Sequence, residues 1–129
     1  MSRKLVSSGS PYEGSIGFSR AVRIGNTIAV SGTAPIAADG TTAAPGDMHG
    51  QAKRCLEIIE KAITDAGGKL ENVVRTRMYL TDAARWEEAG KAHGEFFSEI
   101  RPASTMVVVK ELLSPEWLVE MEADCLIED

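Results

Sequence analysis

Residues 47–80 read DMHGQAKRCLEIIEKAITDAGGKLENVVRTRMYL, and their hydrophobic period changes partway along. Ala52, Cys55, Leu56, Ile59, Ala62, Ile63 and Ala66 recur at three- and four-residue intervals, which keeps one face of a helix apolar. Asp47 stands where a carboxylate caps the first turn, and Gly67-Gly68 supplies the left-handed backbone that stops a helix. From Val73 to Leu80 the period drops to two, with Val74, Thr76, Met78 and Leu80 alternating with Val73, Arg75, Arg77 and Tyr79. The pattern predicts a helix over 47–66 and a strand over 73–80. Strand, helix and strand in this order predict a right-handed crossover with parallel outer strands.

Upstream, residues 19–24 and 27–31 (SRAVRI and TIAVS) flank Gly25-Asn26 and read as a tight hairpin. Residues 32–46 (GTAPIAADGTTAAPG) read as a long loop, a length often associated with function. Downstream, Thr81-Asp82 caps a second helix. Trp86, Ala89, His93, Phe96, Phe97 and Ile100 form its predicted buried stripe, and Arg101-Pro102 ends it. Residues 104–109 (STMVVV) and 118–127 read as strands. In the last, Val119, Met121, Ala123, Cys125 and Ile127 share one parity, and Glu120, Glu122 and Asp124 the other.

The whole, 1–129, is expected to be one α+β domain, a mixed sheet with two helices on one face. The uncovered face would carry the three acids with Arg75 and Arg77, and Val73, Tyr79, Leu118 and Leu126 would share it. Such a face is a natural oligomer surface.

Composition narrows the function classes. The chain is 43% hydrophobic and 26% charged, which suits a globular protein, and its net charge of −5 argues against gripping phosphates. Cys55 and Cys125 lie on apolar parities and read as buried free thiols. No C-x-x-C occurs, and His49 and His93 stand apart, so no metal site is expected. The opening MSRKLVSSGSPYEG has no apolar h-region, and no run approaches transmembrane length. A cytoplasmic, reducing compartment is the expectation, with no membrane and no nucleic-acid partner.

Candidate chemistry is sparse. Ser31-Gly32 ends a strand, and it is either an ordinary strand terminus or a hydroxyl and N–H pair that receives a substrate oxygen. Neither histidine is placed to serve a Ser-His-Asp triad, and His93 reads as a satisfied, part-buried side chain. Gly67-Gly68 follows a helix and is no phosphate loop. Any of Glu120, Glu122 and Asp124 could be a general acid-base or a solvated carboxylate.

Three stretches, AVRIGNTIAVSGTAPI (21–36), DAGGKLENVVRTRMYLTD (65–82) and RPASTMVVV with LVEMEA (101–123), together resemble the reactive intermediate deaminase family. These proteins are also called YjgF-like and, in older usage, L-PSP endoribonucleases. The resemblance implies a chorismate-mutase-like two-layer sandwich and a homotrimer with ligand clefts between subunits. It also implies cofactor-free hydrolysis of enamines and imines to 2-oxo acids and ammonia.

Residue by residue, the family's strand-end serine and glycine match Ser31 and Gly32, and its catalytic glutamate matches Glu120. Its cleft tyrosine aligns with Phe18 and a helix asparagine with Gly90. Its P-A-R-S-C pattern reads here Pro102-Ala103-Ser104-Thr105-Met106. The carboxylate-clamping arginine is therefore Ser104 and the cysteine Met106. Serine offers one neutral hydroxyl where a guanidinium offers a charged, planar fork, so acidic substrates should bind less well. Arg20, Arg75, Arg77, Arg101 and Lys110 are the cations that could stand in.

The sequence thus predicts a divergent member that binds a small metabolite and hydrolyses a C–N bond. Glu120 would position water, and Ser31, Gly32 and the Thr105-Met106 backbone would hold the reacting oxygen. Phe18 would wall the pocket. The alternatives are a non-catalytic metabolite-binding or regulatory trimer and, less favoured, an endoribonuclease.

Overall fold

The computed structural model describes residues 2–128. Among the described residues six strands form one sheet: β1 (Arg3–Val6), β2 (Ala21–Ile24), β3 (Thr27–Thr33), β4 (Val73–Leu80), β5 (Ala103–Val108) and β6 (Val119–Leu126). Their order across the sheet is β1-β2-β3-β6-β4-β5, antiparallel throughout except for the parallel pair β4 and β5. Two helices, α1 (Met48–Asp65) and α2 (Trp86–Phe97), cover one face. This is the expected mixed α+β architecture. β3 and β4 run parallel as predicted for the crossover, but β6 lies between them and pairs with both.

Helix α1 follows its sequence closely. Asp47 accepts a hydrogen bond from the Gly50 N–H at 3.0 Å, and Gly67 takes φ +89° just past the end. Every residue of its predicted stripe is buried, packed with Ile28 and Val30 of β3 and with Val119, Met121, Ala123 and Cys125 of β6. Each large aliphatic side chain buried this way stabilises the fold by about 1.5–3 kcal/mol. Both cysteines are free and buried.

Three expectations need correction. Trp86 is 55% exposed rather than part of the α2 stripe, because Asp82 caps a short 3₁₀ turn (Ala83–Arg85) and delays the helix start. Ala92 takes a buried place instead. Val73 is buried and Val74 exposed, the reverse of the alternation, because the β4–β6 register shifts between Val73 and Arg75. The N-terminal segment adds an unanticipated strand, β1, too short for its period to be seen.

The helix-free face carries the charges. Arg77 meets Asp124 at 3.2 Å and Glu122 at 3.6 Å, and Tyr79 donates its hydroxyl proton to Glu122. Exposed ion pairs of this kind are worth about 0–1 kcal/mol. Among the described residues no helix is long and apolar enough to cross a membrane.

Candidate functional site

Glu120 owes its position to the chain just before it. Gln51, fully buried on α1, donates its amide to the Glu116 carbonyl at 3.0 Å and accepts the Leu118 N–H at 2.8 Å. This clamp fixes the entry into β6. Val119 then buries completely, and by the period of two Glu120 turns to the helix-free face. No sequence pattern announces the clamp, since a glutamine inside an apolar helix face reads as a defect.

On β3 the ladder runs Val30 opposite Ala123 and then Thr33 opposite Met121, leaving three steps on β3 against two on β6. The extra residue is a bulge at Ser31-Gly32. Thr33 recovers the buried parity and donates its hydroxyl to the Ser31 carbonyl at 2.8 Å. The bulge brings the Gly32 Cα against Glu120: a Cβ there would stand 2.5 Å from Oε2. Only glycine allows the carboxylate this close.

Ser31 and Glu120 are half-buried neighbours of Arg20, whose carbonyl accepts the Ser31 N–H at 3.1 Å. The Arg20 Nη2 donates to the Gly32 carbonyl at 2.5 Å, while its Nε is buried without a partner. Burial raises the Glu120 pKa above the ordinary carboxylate value; the Arg20 charge opposes this, and Glu122 adds to it. Phe18 follows a π-helical turn (Glu13–Gly17), its N–H donating to the Glu13 carbonyl at 3.0 Å, and is half-buried. One expectation changes here. The Ser31 hydroxyl donates to the Ser19 carbonyl at 2.6 Å, so its proton is engaged and its oxygen is left to accept.

The remaining predicted residues lie elsewhere. Ser104 and Met106 of edge strand β5 face the helix layer, where the Met106 Cε lies 4.0 Å from the Cβ position of Gly90 on α2. The buried Thr76 hydroxyl donates to the Ser104 Oγ at 2.8 Å and shares a 2.8 Å contact with His93 Nε2. His93 is therefore satisfied and part-buried, as expected, and burial lowers its pKa. Thr105 has the opposite parity, beside Arg77, and is exposed.

Ser31, Gly32 and Glu120 thus form one group, with Phe18 next in the chain to the Ser19 that holds the Ser31 hydroxyl, and Gly90, Ser104 and Met106 form another. Across the sheet, Ser31 and Gly32 of β3 lie three strand spacings from β5, about 14 Å, and Glu120 of β6 lies two, about 10 Å, on the opposite face from Ser104 and Met106. One copy of the chain does not bring the two groups together. A groove between the long loop and the segment before β6, lined by Ile36, Thr42, Glu116 and Trp117, contains none of them. Of the five candidate cations, Arg20 alone sits beside Glu120 through a shared partner, the Gly32 peptide. It was one of five equals in the sequence because the bulge that seats it is a tertiary feature.

Comparison with known proteins adds to this geometry. The family model described as Endoribonuclease L-PSP matches residues 11–127. An uncharacterized protein of Streptomyces coelicolor is 36% identical over 121 residues, covering 94% of this chain and 90% of its own. The 3-aminoacrylate deaminase RutC of Acinetobacter baylyi is 32% identical over 101 residues, covering 78% and 79%. Among solved structures, Rv2704 of Mycobacterium tuberculosis, described as a member of the YjgF/YER057c/UK114 family, superposes with a TM-score of 0.88. It is 44% identical, covering 98% of this chain and 100% of that one.

Proposed function

This chain belongs to the endoribonuclease L-PSP family, the Rid/YjgF proteins, and we propose that it hydrolyses a C–N bond of a small imine or enamine without a cofactor. The observation that carries this reading is the Glu120 carboxylate, half-buried against the Gly32 bulge beside a cation. Burial makes it a stronger base than a solvated glutamate. A water held there loses its proton to Glu120 as its oxygen adds to the imine carbon. Glu120 returns that proton to the nitrogen, giving a neutral carbinolamine. The carbinolamine's hydroxyl proton then passes through Glu120 to the amine as the C–N bond breaks, so that ammonia leaves and a carbonyl compound remains. An enamine joins the same path once protonated at carbon.

The other predicted residues take supporting roles. The Gly32 N–H and the backbone around Thr105-Met106 hold the reacting oxygen. Ser31, its proton spent on Ser19, accepts an N–H from the substrate. Phe18 walls the pocket, and Ser104, Met106 and Gly90 of a second copy complete it. The clefts belong to a homotrimer, and a cytoplasmic location suits the two buried free thiols. A relative named for 3-aminoacrylate deamination supports the reaction class.

The test compares wild type with Glu120→Gln on one neutral and one acidic imine generated in situ, reading ammonia release against buffer. Wild type should exceed buffer, and the variant should lose about 10²-fold or more, the usual worth of a general base. Equal rates for the two proteins would overturn the role of Glu120. A second reading, a metabolite-binding trimer without turnover, is favoured by the neutral Ser104 and the engaged Ser31 hydroxyl. Calorimetric binding of small metabolites with no ammonia release would select it. An endoribonuclease is the least supported, given the net charge of −5 and a helix-free face on which Arg77 is already held by two carboxylates.

A further inference from the structure

We propose that Arg20 is a positioning residue for Glu120, holding the Gly32 bulge against the carboxylate and placing a positive charge behind it. The inference deepens the reading of Glu120 as the base and rests on it.

Arg20 lies just before β2, across from Ser31, and reaches the far side of the bulge to donate to the Gly32 carbonyl. The same glycine's Cα is the surface on which the Glu120 Oε2 rests. Cation, peptide and carboxylate are therefore stacked in that order, with no ion pair of 4 Å or less between the two side chains among the described residues. A direct pair would weaken the carboxylate as a base and occupy at least one of its oxygens. The stacked arrangement keeps the field of the charge and leaves the carboxylate open to water.

The Nε of Arg20 is buried without a partner. Buried polar groups are hydrogen-bonded as a rule, and exceptions call for a reason. Here the guanidinium is turned to serve the Gly32 carbonyl, and its own satisfaction suffers. Guanidinium remains charged even where burial lowers its pKa, as burial does here.

The other groups that feel Glu120 are known on each packed element. Cys55 of α1 is a buried thiol whose pKa is pushed up, hence neutral. Tyr79 of β4 is held neutral by donating to Glu122. Glu122, on the same strand, favours protonation of Glu120. Arg20 is the only one of them that opposes burial. Glu13 in turn faces Arg20.

The experiment follows the Glu120 side-chain carboxyl by carbon NMR across the carboxylate titration range, in the oligomer as purified, with Glu120→Gln assigning the signal. In Arg20→Gln the midpoint should move to higher pH, and in Arg20→Lys it should stay near wild type. Arg20→Met, also uncharged, replaces Arg20→Gln if that variant does not fold. With an imine substrate, the rising limb of the kcat/KM profile should move the same way while KM changes little. A midpoint in Arg20→Gln equal to wild type overturns the proposal, as does an equal shift in Arg20→Gln and Arg20→Lys. The NMR arm is independent of turnover, so loss of the Glu120 reading through unchanged Glu120→Gln rates is a separate outcome.

Discussion

Glu120 answers two opposed demands, since the burial that sharpens it as a base also makes its charge costly to the fold. Its folded-state pKa lies above the ordinary 4.5. Between that value and the raised one the folded chain binds the extra proton, so stability falls as pH rises through this window and the loss persists at neutral pH. Glu120→Gln should therefore melt at higher temperature than wild type at pH 7, with the difference closing below the ordinary carboxylate range. Calorimetric scans at both pH values check this, and an unchanged melting temperature at pH 7 would refute it. The parity of residues 117–127 already separated Glu120 from the core. The family resemblance singled it out from Glu122 and Asp124, and the fold adds the physical difference, binding Glu122 to Tyr79 and Arg77, and Asp124 to Arg77.

At the scale of elements, what the sequence period could not see were its interruptions. α1 was legible because capping, stripe and stop agree over Asp47–Gly67. β4 was legible as a strand, yet its register shift put Val73 into the core and Val74 outside. The bulge of β3 is the same kind of irregularity put to use. Gly32→Ala would set a Cβ 2.5 Å from the Glu120 Oε2. The atom that must give way is the far end of a flexible side chain, so the expected result is a displaced carboxylate with stability within about 1 kcal/mol of wild type. Urea unfolding together with imine turnover checks it: activity should fall to near the Glu120→Gln level while the midpoint holds. Full activity in a folded Gly32→Ala protein would show that the close approach does not matter.

For the whole molecule, the division of the predicted site between two faces of one sheet is the dominant fact. A single chain leaves Leu5, Ile24, Leu126 and Val107 exposed on the helix-free side, between 43% and 58% of their surface. These apolar side chains flank the Arg77, Glu122 and Asp124 network, a mixture suited to a heterologous contact between copies that closes into a ring. Light scattering on the purified protein should give three times the chain mass. Val107→Glu should shift the distribution toward smaller species and reduce imine turnover with it. A monomer with full turnover would contradict the inter-subunit cleft.

The sequence by itself determined the two helices, five of the six strands, the buried faces of α1 and β6 and the identity of Glu120, Ser31 and Gly32 as candidates. The elements follow from period, capping and local turn chemistry, which act over a few residues, and the three candidates from the family resemblance. The tertiary structure alone decided that the Ser31 hydroxyl is spent on Ser19, that Gln51 clamps the approach to β6, and that Arg20 is the cation seated behind Glu120. Each of these depends on contacts between residues distant along the chain, whose geometry is set by the sheet register and the β3 bulge.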